Sequence, residues 1–127
     1  MWKSTKEVGN RGEDIACEWL IKRGFLIVER NYRMKWGEID IITAKDKIIQ
    51  FVEVKSVTLK KGRGSIGYRP EENVHELKGR RLRRTIQTYL LEKKFSADTE
   101  LKFHVVLVYM NESTRRARVE MMENIIL

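Results

Sequence analysis

The sequence predicts a mixed α/β domain, 1–127, ordered helix, three strands, helix, strand, with further strand at the C-terminal end. Three observations carry that prediction. An apolar stripe at helical spacing runs from about Glu7 to Arg23 and stops at Gly24. Two runs of β-branched and aromatic residues then flank a polar turn, Ile39–Ile42 before it and Ile48–Val54 after it. A second helical stretch, strongly basic, precedes the aliphatic run Leu101–Met110.

In the first helix the stripe is Val8, Ile15, Ala16, Trp19 and Leu20. Gly24 supplies the stop, and Lys22 and Arg23 sit favourably for the helix dipole. Gly9 and Gly12 are unexpected, since each costs about 1 kcal/mol relative to Ala inside a helix. Either the helix begins near Asn10, or these glycines permit a close approach. Glu13, at the border of the stripe, reads from the residues alone as a first-turn glutamate serving the dipole.

Phe25–Val28 is the expected first strand, followed by a basic, aromatic connector at Asn31–Trp36. Thr43–Lys47 is the expected hairpin turn. Ser56–Pro70 holds three glycines and the only proline among several cations, so it reads as a loop. Loops of that length are usually functional or disordered. Pro70, Glu71 and Glu72 suit the start of the second helix, which is expected to run to about Lys94. Val74, Leu77, Leu82, Ile86, Tyr89 and Leu90 give it an apolar side. Lys78, Arg80, Arg81, Arg83 and Arg84 repel one another, and a polyanion would relieve that repulsion as well as water does. Val105–Val108 form an uninterrupted run that predicts burial on both faces of a strand. Asn111–Thr114 is a turn before a last strand or two within Ala117–Leu127. His104 reads as a strand histidine; His75 has no assigned role.

The chemistry concentrates in the central hairpin. Residues two apart on a strand share a face, so Glu53 and Lys55 point the same way. A turn centred near Asp46 puts Asp40 almost opposite Phe51, with Glu53 its diagonal neighbour at roughly 7–8 Å. Ile49 and Phe51 share that face, which therefore changes from apolar to charged at its C-terminal end. Such a change fits a site at the sheet's rim. The same three residues are also what an ordinary half-solvated strand shows.

Composition sets bounds. Lys and Arg number 26 against 18 Asp and Glu, a net charge of +8. That excess favours polyanionic partners. The one cysteine, Cys17, excludes an intrachain disulfide and a thiolate-rich zinc site, and it suits a reducing compartment. No apolar run approaches the roughly 20 residues that span a membrane, and the N-terminal segment lacks a signal peptide's apolar core. A soluble cytoplasmic protein with no membrane partner is expected.

Several elements occur in a specific order: Gly9-x-x-Gly12-Glu13-x-x-Ala16, Gly24, Asn31-Tyr32-Arg33, Gly37-Glu38-Ile39-Asp40, Phe51-Val52-Glu53-Val54-Lys55, and Lys78. In these the chain resembles the YraN-type family of small uncharacterised bacterial proteins, across most of its length. That family is similar to archaeal Holliday-junction resolvases of the PD-(D/E)xK nuclease superfamily. The resemblance implies a restriction-endonuclease-like fold, a mixed central sheet flanked by helices in the order αβββαβ plus a C-terminal strand. It also implies that Glu13 joins the metal site from the first helix. One departure is Val57, where the family commonly has arginine.

On that resemblance the expected activity is Mg²⁺-dependent hydrolysis of phosphodiester bonds in structured or branched DNA, with Mn²⁺ able to substitute. Asp40 and Glu53 would bind the metal, with the Val54 carbonyl and Glu13 as further ligands. Lys55 would orient the attacking water. Arg63, Arg69, Lys78, Arg80, Arg81 and Arg84 are the expected nucleic-acid contacts, to DNA in preference to RNA. A homodimer is implied by analogy only. Two readings of other classes stand beside this one. One is a nucleic-acid-binding module that keeps the fold without turnover; the other is a basic scaffold that docks on an acidic protein or ribosomal RNA.

Overall fold

A computed structural model describes residues 5–59 and 79–127. Helix α1 (Thr5–Lys22) is followed by β1 (Leu26–Met34), β2 (Gly37–Lys45) and β3 (Ile48–Leu59). Helix α2 (Gly79–Glu92), β4 (Leu101–Asn111) and β5 (Arg116–Met122) complete the chain. The five strands form one mixed sheet in the order β1-β2-β3-β4-β5. Only β3 and β4 run parallel. A parallel neighbour needs a crossover connection, and α2 lies within that connection.

The two helices pack on opposite faces. Ala16, Cys17 and Leu20 of α1 join Ile41, Val52 and Val106 in one buried cluster. Leu82, Ile86 and Tyr89 of α2 join Ile42, Phe51 and Val105 in the other. The run at 105–108 therefore divides as expected, Val105 and Leu107 to one cluster and Val106 and Val108 to the other.

Helix ends follow their local chemistry. Gly24 adopts φ 91°, its N–H donates to Ile21, and Phe25 N–H donates to Leu20. That is a full Schellman cap, the stop expected from the glycine. The same pair of bonds closes α2 at Lys94 and Phe95, with Lys94 at φ 60° instead of a glycine. The expected start of α2 at Pro70–Glu72 lies outside the described residues, as do His75 and most of the expected loop.

Three strand assignments are corrected. The Asn31–Trp36 connector belongs to β1 as far as Met34, because Tyr32, Arg33 and Met34 pair with Ile39, Glu38 and Gly37. β3 runs on through Leu59, where loop was expected from Ser56, because parallel pairing with β4 continues to Leu59 and Asn111. The central turn is two residues, Asp46 and Lys47, at φ 54° and 66°. Two positive φ values in succession give the turn whose twist matches paired strands. It is centred one residue later than the expected pairing of Asp40 with Phe51 requires.

Candidate active site

That later turn changes the register where it matters. Ile42 lies opposite Phe51 and Ile41 opposite Val52, so the same register brings Asp40 level with Glu53. The expectation that Asp40 faces Phe51 is thereby corrected, and the two carboxyls are brought closer. The ladder of paired residues ends at Ile41 and Val52. Beyond it the Val54 N–H donates to Asp40 Oδ2 at 2.7 Å.

Asp40 and Glu53 are only 6% and 5% exposed. Burial pushes the Asp40 carboxyl far above its ordinary range; the Glu53 charge and a hydrogen bond to Glu53 push it further. The Val54 N–H acts in the opposite direction, more weakly. Each of the larger causes favours a proton held within the Asp40–Glu53 pair. Lys55 Nζ stands 3.7 Å from Glu53 Oε2, completing an acid–acid–lysine group at the end of the apolar face.

Gly12 explains how α1 reaches this group. A Cβ there would fall 1.8 Å from Ser56 Oγ and 2.9 Å from Ser56 Cβ. The helix begins at Thr5, so of the two readings for Gly12 the close approach holds. Glu13, the next residue, lines the same cavity as Asp40, Glu53, Val54 and Lys55, a concavity of about 930 Å³. Its carboxylate accepts from Arg30 Nη2 at 3.4 Å, and Arg30 also pairs with Asp14 at 3.0 Å. Glu13 is near enough to add a small upward push on Asp40. Among the described residues, no group of three or more His, Cys, Asp or Glu is placed to hold a metal ion.

The rim is basic. Gly37 does for α2 what Gly12 does for α1, since a Cβ there would meet Thr85 Oγ1 at 2.9 Å and Arg81 Cβ at 3.5 Å. Arg81 thereby reaches the cavity wall. Arg84 lies over the Trp36 ring at 3.9 Å, and Trp36 also lines the cavity. Arg80 is exposed on α2 and does not line the cavity. Arg63, Arg69 and Lys78 lie outside the described residues. Trp36, Arg30 and Ser56 are the residues of the site that pattern reasoning missed. Trp36 carried a signal, an aromatic among cations just before the Gly37-Glu38-Ile39-Asp40 run. Arg30 and Ser56 carried none, because their roles depend on a neighbour from another element.

His104 is a buried strand residue, as expected, and pairs with Val52, next to Glu53. Its Nδ1 accepts from Asn124 N–H at 3.1 Å, and Nε2 contacts Gln50 Oε1 at 2.6 Å. An accepting Nδ1 leaves the proton on Nε2, so Nε2 is the donor to Gln50. Burial holds its pKa below the usual histidine value, and this imidazole is structural.

Fold and site together define a small mixed α/β protein with buried Asp40 and Glu53 beside Lys55, midway along its central strand and near a basic helix. The model of the uncharacterised protein family UPF0102 matches residues 12–108. The chain belongs to that family. A UPF0102 protein of Campylobacter lari is 38% identical over 117 residues, covering 92% of this chain and 91% of its own. Another, from Caldicellulosiruptor saccharolyticus, is 37% identical over 119 residues, covering 94% and 96%. The YraN-type resemblance read from the motifs therefore holds. No described helix is long and apolar enough to cross a membrane.

Proposed function

We propose that this protein is a metal-dependent nuclease that hydrolyses phosphodiester bonds in structured or branched nucleic acid, DNA in preference to RNA. One observation carries the reading: Asp40 and Glu53 stand level and buried, hydrogen-bonded to each other, with Lys55 beside them in a cavity that Arg81 of α2 also lines. A pair of carboxyls that must retain a proton to coexist is a pair that a hard divalent cation would relieve. Binding phosphate alone needs no acids there, and acids would oppose it. The five-stranded mixed sheet with a helix on each face is compatible with the restriction-endonuclease-like fold that the resemblance implies.

The donor set fits Mg²⁺ or Mn²⁺, which prefer oxygen ligands and keep several waters. Asp40 and Glu53 would hold the ion, with the Val54 carbonyl as a further oxygen and Glu13 acting through water. Bound there, the metal would supply a water of lowered pKa and charge to offset the phosphate. Asp40 would have to be deprotonated to serve as a ligand. Glu53 keeps Lys55 in place, and the Lys55 ammonium orients the attacking water and faces the phosphate. Arg81 and Arg84 hold the backbone of the substrate, and Arg63, Arg69, Lys78 and Arg80 are further candidates for that work. Cytoplasmic residence and a homodimer able to cut two strands belong to the same proposal.

A second reading is a module that binds nucleic acid without turnover. It is favoured by the lack, among the described residues, of a third carboxylate placed with Asp40 and Glu53. Cleavage of duplex, flap, four-way-junction and single-strand substrates with Mg²⁺, Mn²⁺ or chelator separates the two. Metal-dependent cutting that is absent in Asp40→Asn supports the nuclease. Equal cutting by both proteins marks a contaminant, and no cutting by either leaves the binding module.

A further inference from the structure

We infer that Trp36 and Arg84 form a pre-assembled stacking column for an unpaired nucleobase, which makes the favoured substrate one with a single-stranded nucleotide beside the cleaved phosphate. This inference rests on the nucleic-acid reading above and specifies its substrate.

Trp36 follows the end of β1 in the two-residue link to β2 and is half-buried. A tryptophan usually settles where its indole N–H finds a partner. Among the described residues Nε1 is buried without one. What the ring does contact is Arg84, whose guanidinium carbon lies 3.9 Å from its centroid. Arg84 is exposed among the described residues. A guanidinium already seated on an indole has lost much of its rotational freedom before binding, and it presents a plane to the next ring in the stack. Arginine planes and aromatic rings are the surfaces on which splayed-out bases stack.

Placement makes this more than a surface cation–π pair. Trp36 lines the cavity that holds Asp40, Glu53 and Lys55. At about 930 Å³, that cavity is near the upper end of the roughly 300–1,000 Å³ that encloses a sizeable ligand. Gly37 and Thr85 hold the link and α2 together, which fixes the spacing between column and carboxyls. A base inside a continuous duplex is stacked on its neighbours and cannot join the column. A base at a flap, a bulge or a strand end can.

The test is binding, in chelator and without cleavage. Fluorescence anisotropy would follow labelled flap, single-strand and blunt-duplex oligonucleotides, each also made with one abasic nucleotide moved stepwise along the unpaired part. The expected result for the unaltered protein is an affinity loss of about tenfold at one abasic position. Arg84→Lys keeps the charge but not the plane, so it should bind the intact flap about tenfold more weakly and be indifferent to the abasic nucleotide. Its affinity for blunt duplex, which offers no unpaired base, should fall by much less. Trp36→Ala should match it, and Arg84→Lys stands alone if Trp36→Ala proves unstable. If Arg84→Lys behaves as the unaltered protein does, the guanidinium acts as a charge only and the inference fails. It also fails if the abasic scan is flat while binding stays strong and salt-sensitive, and that result leaves the nucleic-acid reading standing. Lack of binding to any oligonucleotide at low salt overturns that reading itself.

Discussion

Replacing Asp40 by Asn should make the metal-free protein more stable at neutral pH, and the gain should grow with pH. The amide keeps the shape and both hydrogen bonds, because its oxygen can accept from Val54 N–H and its NH₂ can donate to Glu53. Only the ionisable proton is removed. In the unaltered protein the folded-state pKa of Asp40 lies above the unfolded value of about 3.9. The stabilisation from its proton is complete below about pH 4 and is lost as pH rises through the folded pKa. In between, the folded chain binds up to one more proton than the unfolded chain, a slope of at most about 1.4 kcal/mol per pH unit. From about pH 4 to pH 7 that amounts to at most about 4 kcal/mol, and relaxation around the carboxyl pair should reduce it to about 1–3 kcal/mol. Urea denaturation of both proteins in chelator, at several values between about pH 5 and pH 8, measures the difference. A difference that is constant across this range would refute the protonated carboxyl pair. So would an Asn variant that is the weaker protein at neutral pH.

Other outcomes follow from the same geometry. Lys55→Ala should leave metal binding nearly intact but lower turnover by orders of magnitude, whereas Asp40→Asn should weaken metal binding; calorimetry with Mg²⁺ beside cleavage rates checks the contrast. Glu13→Gln should lose only some tenths of a kcal/mol in a thermal melt if Glu13 merely serves the helix dipole. A large activity loss with that small melt change would identify it as part of the metal site. Gly12→Ala should destabilise by about 1–3 kcal/mol, since Ser56 Cβ cannot rotate out of the way, and Ser56→Gly in the same chain should recover most of it. The logarithm of DNA affinity should fall against that of salt with a slope of about −5 if six phosphates are contacted, and Arg80, Arg81 and Arg84 to Ala should flatten it.

Much of this architecture is visible in the pattern, and what is hidden has a common cause. Gly24, the spacing in α1 and the 105–108 run report purely local physics, so helix end and two-sided burial could be read directly. Asp40, Glu53 and Lys55 stood out because charge on an apolar strand is conspicuous. Their relative placement was misjudged because Asp46 and Lys47 carry no glycine or asparagine to advertise a two-residue turn, yet both adopt positive φ. The Asn31–Met34 segment looked like a connector because its strand character comes from pairing with β2 and not from its own residues. Arg30 and Ser56 could not be found at all, since one matters through a salt bridge from α1 and the other through the space that Gly12 leaves.

The Asp46–Lys47 turn has a consequence for how this chain can change. It sets the distance along each strand back to Asp40 and Glu53, so it acts as a ruler for a cluster in which it takes no part. Its composition should be nearly free: glycine or asparagine at either position relieves positive φ and should raise stability. Its length should not be. One residue added or removed shifts the register and turns a strand's inward set outward, parting two carboxyls that no substitution in the turn would disturb. Variation in this segment should therefore be tolerated as spelling and rejected as insertion.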